Sequence, residues 1–224
     1  MRKRWIQIIR GLLIFIVVSA STTAAFAKEK PTVEELIARH LKAVGAPEKI
    51  AARKSCIAEG RGALPSLLAD KGTLTVAAFM ISEGDKLRFN LRIGAPNCPA
   101  DQFAFDGSKV DTGVLTPRVG SQLGQFLYLH NFIVKEGLPS GVVSTAWPLF
   151  DLEKRGPRLR YGGLKKIEGK ELHELKYMAK KGEGDLDVYL YFDPENYRHV
   201  RTTYYLIQPP PSGGRKPPPN QGEI

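Results

Sequence analysis

Apolar and polar positions alternate with a period of two along much of this chain, and such alternation reads as strands with one buried face. From Lys86 to Ile93 the pattern is cleanest: Leu87, Phe89, Leu91 and Ile93 face one way, and Lys86, Arg88, Asn90 and Arg92 the other. Further strands are expected over Ser55–Ala63, Gly72–Ser82, Gln102–Phe105, Lys109–Thr112, Arg158–Ile167 and Glu171–Ala179. Glycines at Gly60 and Gly62, and the pair Gly162-Gly163, predict a bulge or bend where they interrupt a strand. Asp106-Gly107 marks a hairpin turn. A last hairpin runs from Leu186 to Leu206 around Asp193-Pro194-Glu195-Asn196. There Val188, Leu190 and Phe192 oppose Tyr189 and Tyr191, and Val200, Thr202, Tyr204 and Leu206 share a face of the return strand.

Two stretches carry the helical period instead. Thr32 and Glu35 form a capping box, after which Val33, Leu36, Ile37, Leu41 and Val44 fall on one face up to Gly45. His40 lies near that stripe and reads as a boundary residue. Ser121–Val134 reads as one helix with Leu123, Phe126, Leu127, His130, Ile133 and Val134 on a shared face, His130 being a core histidine. Leu138–Phe150 carries Pro139, Gly141 and Pro148, which predicts short helical turns anchored by Trp147 and Phe150.

Helix, strands, helices, strands is the order of an α+β fold with antiparallel pairing. Eight to ten strands in one sheet curl. The expected architecture is therefore a curled antiparallel sheet, an unclosed β-barrel (half-barrel), with its open side covered by helices.

The ends of the 224-residue chain differ from the middle. Arg2, Lys3, Arg4 and Arg10 precede the uncharged run Gly11–Ala27, which closes on Ala25-Phe26-Ala27. Residues 1–27 are expected to be a secretory signal peptide, with an uncleaved membrane anchor as the alternative. Residues 28–207 then form the domain. Residues 208–224, rich in proline, have little to bury and are expected to be a disordered tail. Removing the leader lowers the formal charge from +10 to +6. The remaining basic residues sit in short scattered clusters, not in a dense patch interleaved with aromatics. Nucleic acid is therefore not an expected partner; the clusters read as solvated strand edges and loops, with transient contact with an anionic membrane surface as the alternative. Export to an oxidising compartment allows Cys56 and Cys98 to pair. Four scattered histidines and two distant cysteines give no metal-ligand spacing, no cofactor is implied, and hydrolase, nucleotide-binding and zinc-protease signatures are absent.

The leader, a first helix ending Leu41-Lys42-Ala43-Val44-Gly45, the Glu59-Gly60-Arg61-Gly62 strand, the Phe105-Asp106-Gly107 hairpin and the closing Tyr191-Phe192-Asp193-Pro194-Glu195-Asn196-Tyr197 turn resemble outer-membrane lipoprotein-sorting proteins. These are the periplasmic carriers and receptors of the Lol system and their broad superfamily. The resemblance implies a periplasmic, non-enzymatic protein whose half-barrel cavity takes an acyl chain or a lipidated protein. Cavity walls are expected from Leu87, Phe89, Leu91, Val188, Leu190 and Phe192, and a lid from Phe126, Leu127, Ile133 and Trp147. The alternative is an exported scaffold of the cell envelope with a filled core, binding an envelope protein partner through its basic faces and tail.

Overall fold

Nine strands and five short α-helices form among the residues described by the computed structural model, which are 30–65, 72–94, 100–113, 120–180 and 186–207. Helix α1 (Val33–Val44) opens with the capping box, Glu35 N–H donating to Thr32 Oγ1 at 3.1 Å and Thr32 N–H to the Glu35 carboxylate at 3.0 Å. Helix α2 (Pro47–Ala52) follows, with proline at its first position, where a missing N–H costs nothing. Strands β1 (Ser55–Pro65), β2 (Thr73–Glu83), β3 (Lys86–Ile93), β4 (Asp101–Phe105) and β5 (Val110–Asp111) then pair in sequence order as one antiparallel meander. A second meander holds β6 (Arg158–Ile167), β7 (Lys170–Met178), β8 (Leu186–Phe192) and β9 (His199–Leu206).

The expected single sheet is thus two sheets, of five and four strands, in an α+β fold not closed into a barrel. The cause lies between β5 and β6. β5 is two residues long, and the chain then leaves the ladder for α3 (Gln122–Leu129), α4 (Phe132–Lys135), the 3-10 turns Leu138–Val143 and Pro148–Phe150, and α5 (Leu152–Arg155).

Two local expectations also change. The Ser121–Val134 helix is broken at His130, whose φ of −113° and ψ of 49° end α3. The break redirects the chain so that Phe126 and Leu127 before it, and Ile133 and Val134 after it, all reach the core. Gly60 and Gly62 make no bulge: the β1–β2 register runs unshifted from Ser55 opposite Glu83 to Pro65 opposite Thr73. The bulge does occur at Gly162-Gly163, where the β6–β7 register shifts between Tyr161 and Gly163. A side chain at Gly162 would run into the Glu174 carboxylate.

Both sheets contribute to one main core, beside which Met80, Leu87 and Ala146 form a smaller cluster. Phe103 and Phe105 of β4 pack with Leu36 and Ile37 of α1, with Trp147 and Leu149, and with Leu175, Val188, Leu190 and Phe192 of β7 and β8. Tyr191 faces away from Val188, Leu190 and Phe192, yet it is also buried, its hydroxyl donating to Glu174 at 3.0 Å. His40 is no boundary residue. It is fully buried beneath Trp147 and 4.8 Å from the Phe192 ring centroid.

Candidate functional site

The inner face of the first sheet loses side-chain volume toward β1. Cross-strand rows on that face read Ala58–Met80–Phe89–Phe103 and Gly60–Ala78–Leu91–Asp101. Phe89, Leu91 and Phe103 are large on β3 and β4, whereas Ala58 and Gly60 on β1 and Ala78 on β2 are small. A Cβ built on Gly60 meets nothing within 4 Å, so the space above it is unfilled. The result is a groove of about 680 Å³ floored by Ala58, Gly60, Ala78, Met80, Phe89 and Leu91.

Its other walls come from three elements. Leu123, Phe126 and Leu127 of α3 form one side, the Leu138–Val143 turn a second, and Val200, Thr202 and Tyr204 of β9 a third. Leu123, Val143 and Val200 are exposed at the groove and give it an apolar rim. The Phe126 ring packs against Tyr204 with centroids 5.8 Å apart, and Phe89 stacks on Phe103 at 5.3 Å.

α3 is held in place by a buried carboxylate. Asp101 of β4 accepts from Ser121 N–H at 3.0 Å and from the Ser121 hydroxyl, while Ser121 Oγ accepts from Gly124 N–H at 2.9 Å. Gly124 is required there, because a Cβ would collide with the Asp101 carboxylate. The negative charge also sits at the positive end of the helix.

One end of the groove is aromatic and titratable. His199 lines it, with its ring 4.6 Å from that of Trp147 and 5.8 Å from that of Phe192. Burial, followed by the neighbouring His40, pulls the His199 pKa down to about 4. At neutral pH this wall therefore carries no imidazolium. Burial likewise lowers His40, against a weaker opposing effect from its hydrogen bond to the Tyr197 carbonyl. Glu59 and Arg201 are the charged residues along the lining, and Arg201 donates to Glu168 at 2.7 Å.

Of the ten residues expected to form a cavity, Phe89, Leu91, Phe126 and Leu127 line the groove. Leu87, Ile133, Trp147, Val188, Leu190 and Phe192 lie in the packed interior, each no more than 2% exposed. Ala58, Gly60, Ala78, Met80, Leu138, Val143, Val200 and Tyr204 escaped sequence reasoning. For Ala58, Gly60 and Ala78 the signal was small residues at inward positions of strands whose neighbours carry large ones. The Cys56–Cys98 pairing that export would allow involves Cys98, which lies outside the described residues; Cys56 is half-buried on β1. The leader and the tail also lie outside them. Among the described residues no helix is long and apolar enough to cross a membrane, and no three His, Cys, Asp or Glu side chains converge as metal ligands.

No family model and no curated protein matches the sequence. Solved structures resemble it. One is a "putative outer membrane lipoprotein-sorting protein domain" from Vibrio parahaemolyticus, with 13% identity and a TM-score of 0.37, covering 76% of this chain and 73% of that one. Another is a DUF1329 family protein from Desulfovibrio piger, with 11% identity and a TM-score of 0.35, covering 78% and 73%. A third is MucB in complex with MucA(peri), with 13% identity and a TM-score of 0.26, covering 77% of this chain and 49% of that one. These are likenesses of fold at low identity.

Proposed function

We propose that this is a non-enzymatic periplasmic binding protein whose groove holds an acyl chain, either of a free lipid or of a lipidated protein in transit to the outer membrane. In this reading the two sheets are the separated halves of an unclosed barrel wall, and α3 with the Leu138–Val143 turn is the lid. Residues 1–27 direct export, as their basic start and apolar run suggest.

The observation that carries the reading is the groove itself. A volume of about 680 Å³ falls within the range of small-molecule sites. Its floor is apolar and cleared by Gly60, Ala58 and Ala78, and its rim is apolar at Leu123, Val143 and Val200. Each methylene moved from water into such a site contributes about 0.8 kcal/mol, so ten would supply roughly 8 kcal/mol before the cost of ordering the chain. The neutral His199 keeps that end of the groove free of charge at pH 7.

The test uses filling rather than disruption. Gly60→Leu places a side chain in open space on a strand where glycine has no conformational role. Binding of a dansylated fatty acid to the wild-type protein is expected, with loss of at least tenfold in affinity in Gly60→Leu at an unchanged thermal midpoint. Val200→Glu, at the exposed rim, should weaken binding likewise. A wild-type protein that takes up no fatty acid, or a Gly60→Leu variant that binds as well as wild type, removes the acyl reading.

A further inference from the structure

We propose that the opposite face of the first sheet binds the phosphate group of a hydroxyl-bearing ligand between Arg61 and Arg92. The register sets Arg61, Ala77 and Arg92 side by side on β1, β2 and β3. Cross-strand partners present their side chains on one face. Strands lie about 4.8 Å apart, so the two arginine stems rise about 9.6 Å apart. Only the methyl of Ala77 stands between them.

The next row on the same face reads Glu59–Phe79–Asn90–Gln102. Together the two rows and Ala100 enclose a concavity of about 480 Å³, large enough for a small organic molecule. Among the described residues neither Arg61 nor Arg92 has an ion-pair partner. Two cations facing each other over a methyl group favour an anion between them.

Geometry selects the anion. Guanidinium groups bind oxyanions through a two-pronged fork. A carboxylate has two oxygens and satisfies one fork. A phosphate has oxygens for both and can bridge the gap over Ala77. The second row selects what the phosphate is attached to. Asn90 Oδ1 is buried with no hydrogen-bond partner among the described residues, so turning that amide toward a ligand breaks no bond of this oxygen. Asn90, Gln102 and the Glu59 carboxylate all accept hydrogen bonds, which the ionised oxygens of a phosphate monoester do not donate and alcohol hydroxyls do. A phosphorylated polyol, or the glycerol phosphate part of a lipid headgroup, supplies both ends.

Calorimetric titration of the full chain tests this with inorganic phosphate, glycerol 3-phosphate and glycerol. Glycerol 3-phosphate is expected to bind more tightly than inorganic phosphate, and glycerol alone not to bind. Arg61→Gln and Arg92→Gln should each weaken glycerol 3-phosphate at least tenfold, and Ala77→Phe should abolish its binding, all with unchanged thermal midpoints. Co-sedimentation with phosphatidylglycerol and phosphatidylcholine vesicles names the source. Arginine-dependent binding to the anionic vesicles alone assigns a lipid headgroup, and none assigns a soluble phosphate. No binding of either phosphate, or equal binding by the Arg61→Gln/Arg92→Gln double variant, overturns the site. Equal affinity for the two phosphates overturns the hydroxyl half of the proposal.

Discussion

The indole N–H of Trp147 donates to Nε2 of His40 at 3.1 Å, joining the middle segment to the first helix across 107 positions of sequence. Because Nε2 accepts, the ring proton must be on Nδ1, which lies 3.0 Å from the Tyr197 carbonyl and donates to it. One buried, neutral imidazole thus ties α1, the Trp147 segment and the β8–β9 turn together. His40→Ala leaves two buried polar partners unsatisfied and a cavity behind, so a loss of about 3 kcal/mol or more is expected in urea unfolding. Trp147→Phe keeps most of the ring and should lose less. Equal stability of His40→Ala and wild type would show that the bridge contributes nothing.

The same imidazoles set a pH response. His199 has a folded-state pKa of about 4, below the ordinary 6.5. The folded state therefore favours its neutral form. That contribution is complete above about pH 6.5 and is lost as pH falls toward 4, at a scale of order 2–3 kcal/mol. An NMR titration should find the His199 Cε1 proton half-shifted near pH 4, with His40 also below the usual range. The urea midpoint should fall between pH 7 and pH 4.5, and less so in His199→Gln. A His199 midpoint near 6.5 would sink the idea.

Glycine positions offer a graded test of backbone strain. Gly137 has φ of 71°, and a Cβ there would run into the Ala146 carbonyl oxygen. Gly84 has φ of 56° with open space around it. Gly84→Ala should cost about 1 kcal/mol, the ordinary left-handed penalty. Gly137→Ala should cost several-fold more, because backbone must move. Thermal melts of the two variants compare them directly, and similar losses would mean that the Ala146 contact yields easily.

Asp101 connects stability to the groove. Asp101→Ala removes the acceptor of both the Ser121 N–H and its hydroxyl, and should cost roughly 2–3 kcal/mol. Since α3 supplies Leu123, Phe126 and Leu127 to the groove wall, fatty-acid affinity should fall with it. Unchanged affinity in a folded Asp101→Ala protein would show that α3 is held by its apolar contacts alone.

Local features were legible where one residue's neighbours decide its state. The Lys86–Ile93 alternation, the Thr32–Glu35 box and the Gly162-Gly163 bulge depend on positions a few residues apart, and each stands in the structure. The division into two sheets was not legible, because the ladder ends at β5 for want of a long partner, and no residue there announces it. His40 looked like a boundary residue since its partner Trp147 is far away in sequence. The groove was half legible. Large inward residues such as Phe89 and Val188 carry the same alternation, and only what stands opposite decides whether a residue faces space or core. Gly60 and Ala78, which make the space, read locally as weak strand formers.

The order of strands within the two sheets bears on how the chain folds. Among the described residues every strand pairs only with its neighbours in sequence, so each ladder can grow by closing short loops. The main core spans both meanders, because Phe103 and Phe105 of the first bury together with Val188 and Leu190 of the second. This topology predicts that the two meanders meet late in folding, around α1 and the Trp147 segment. Mutations within a turn internal to one meander, such as Glu168-Gly169, should act on early kinetics, and mutations at His40 or Trp147 on the late docking.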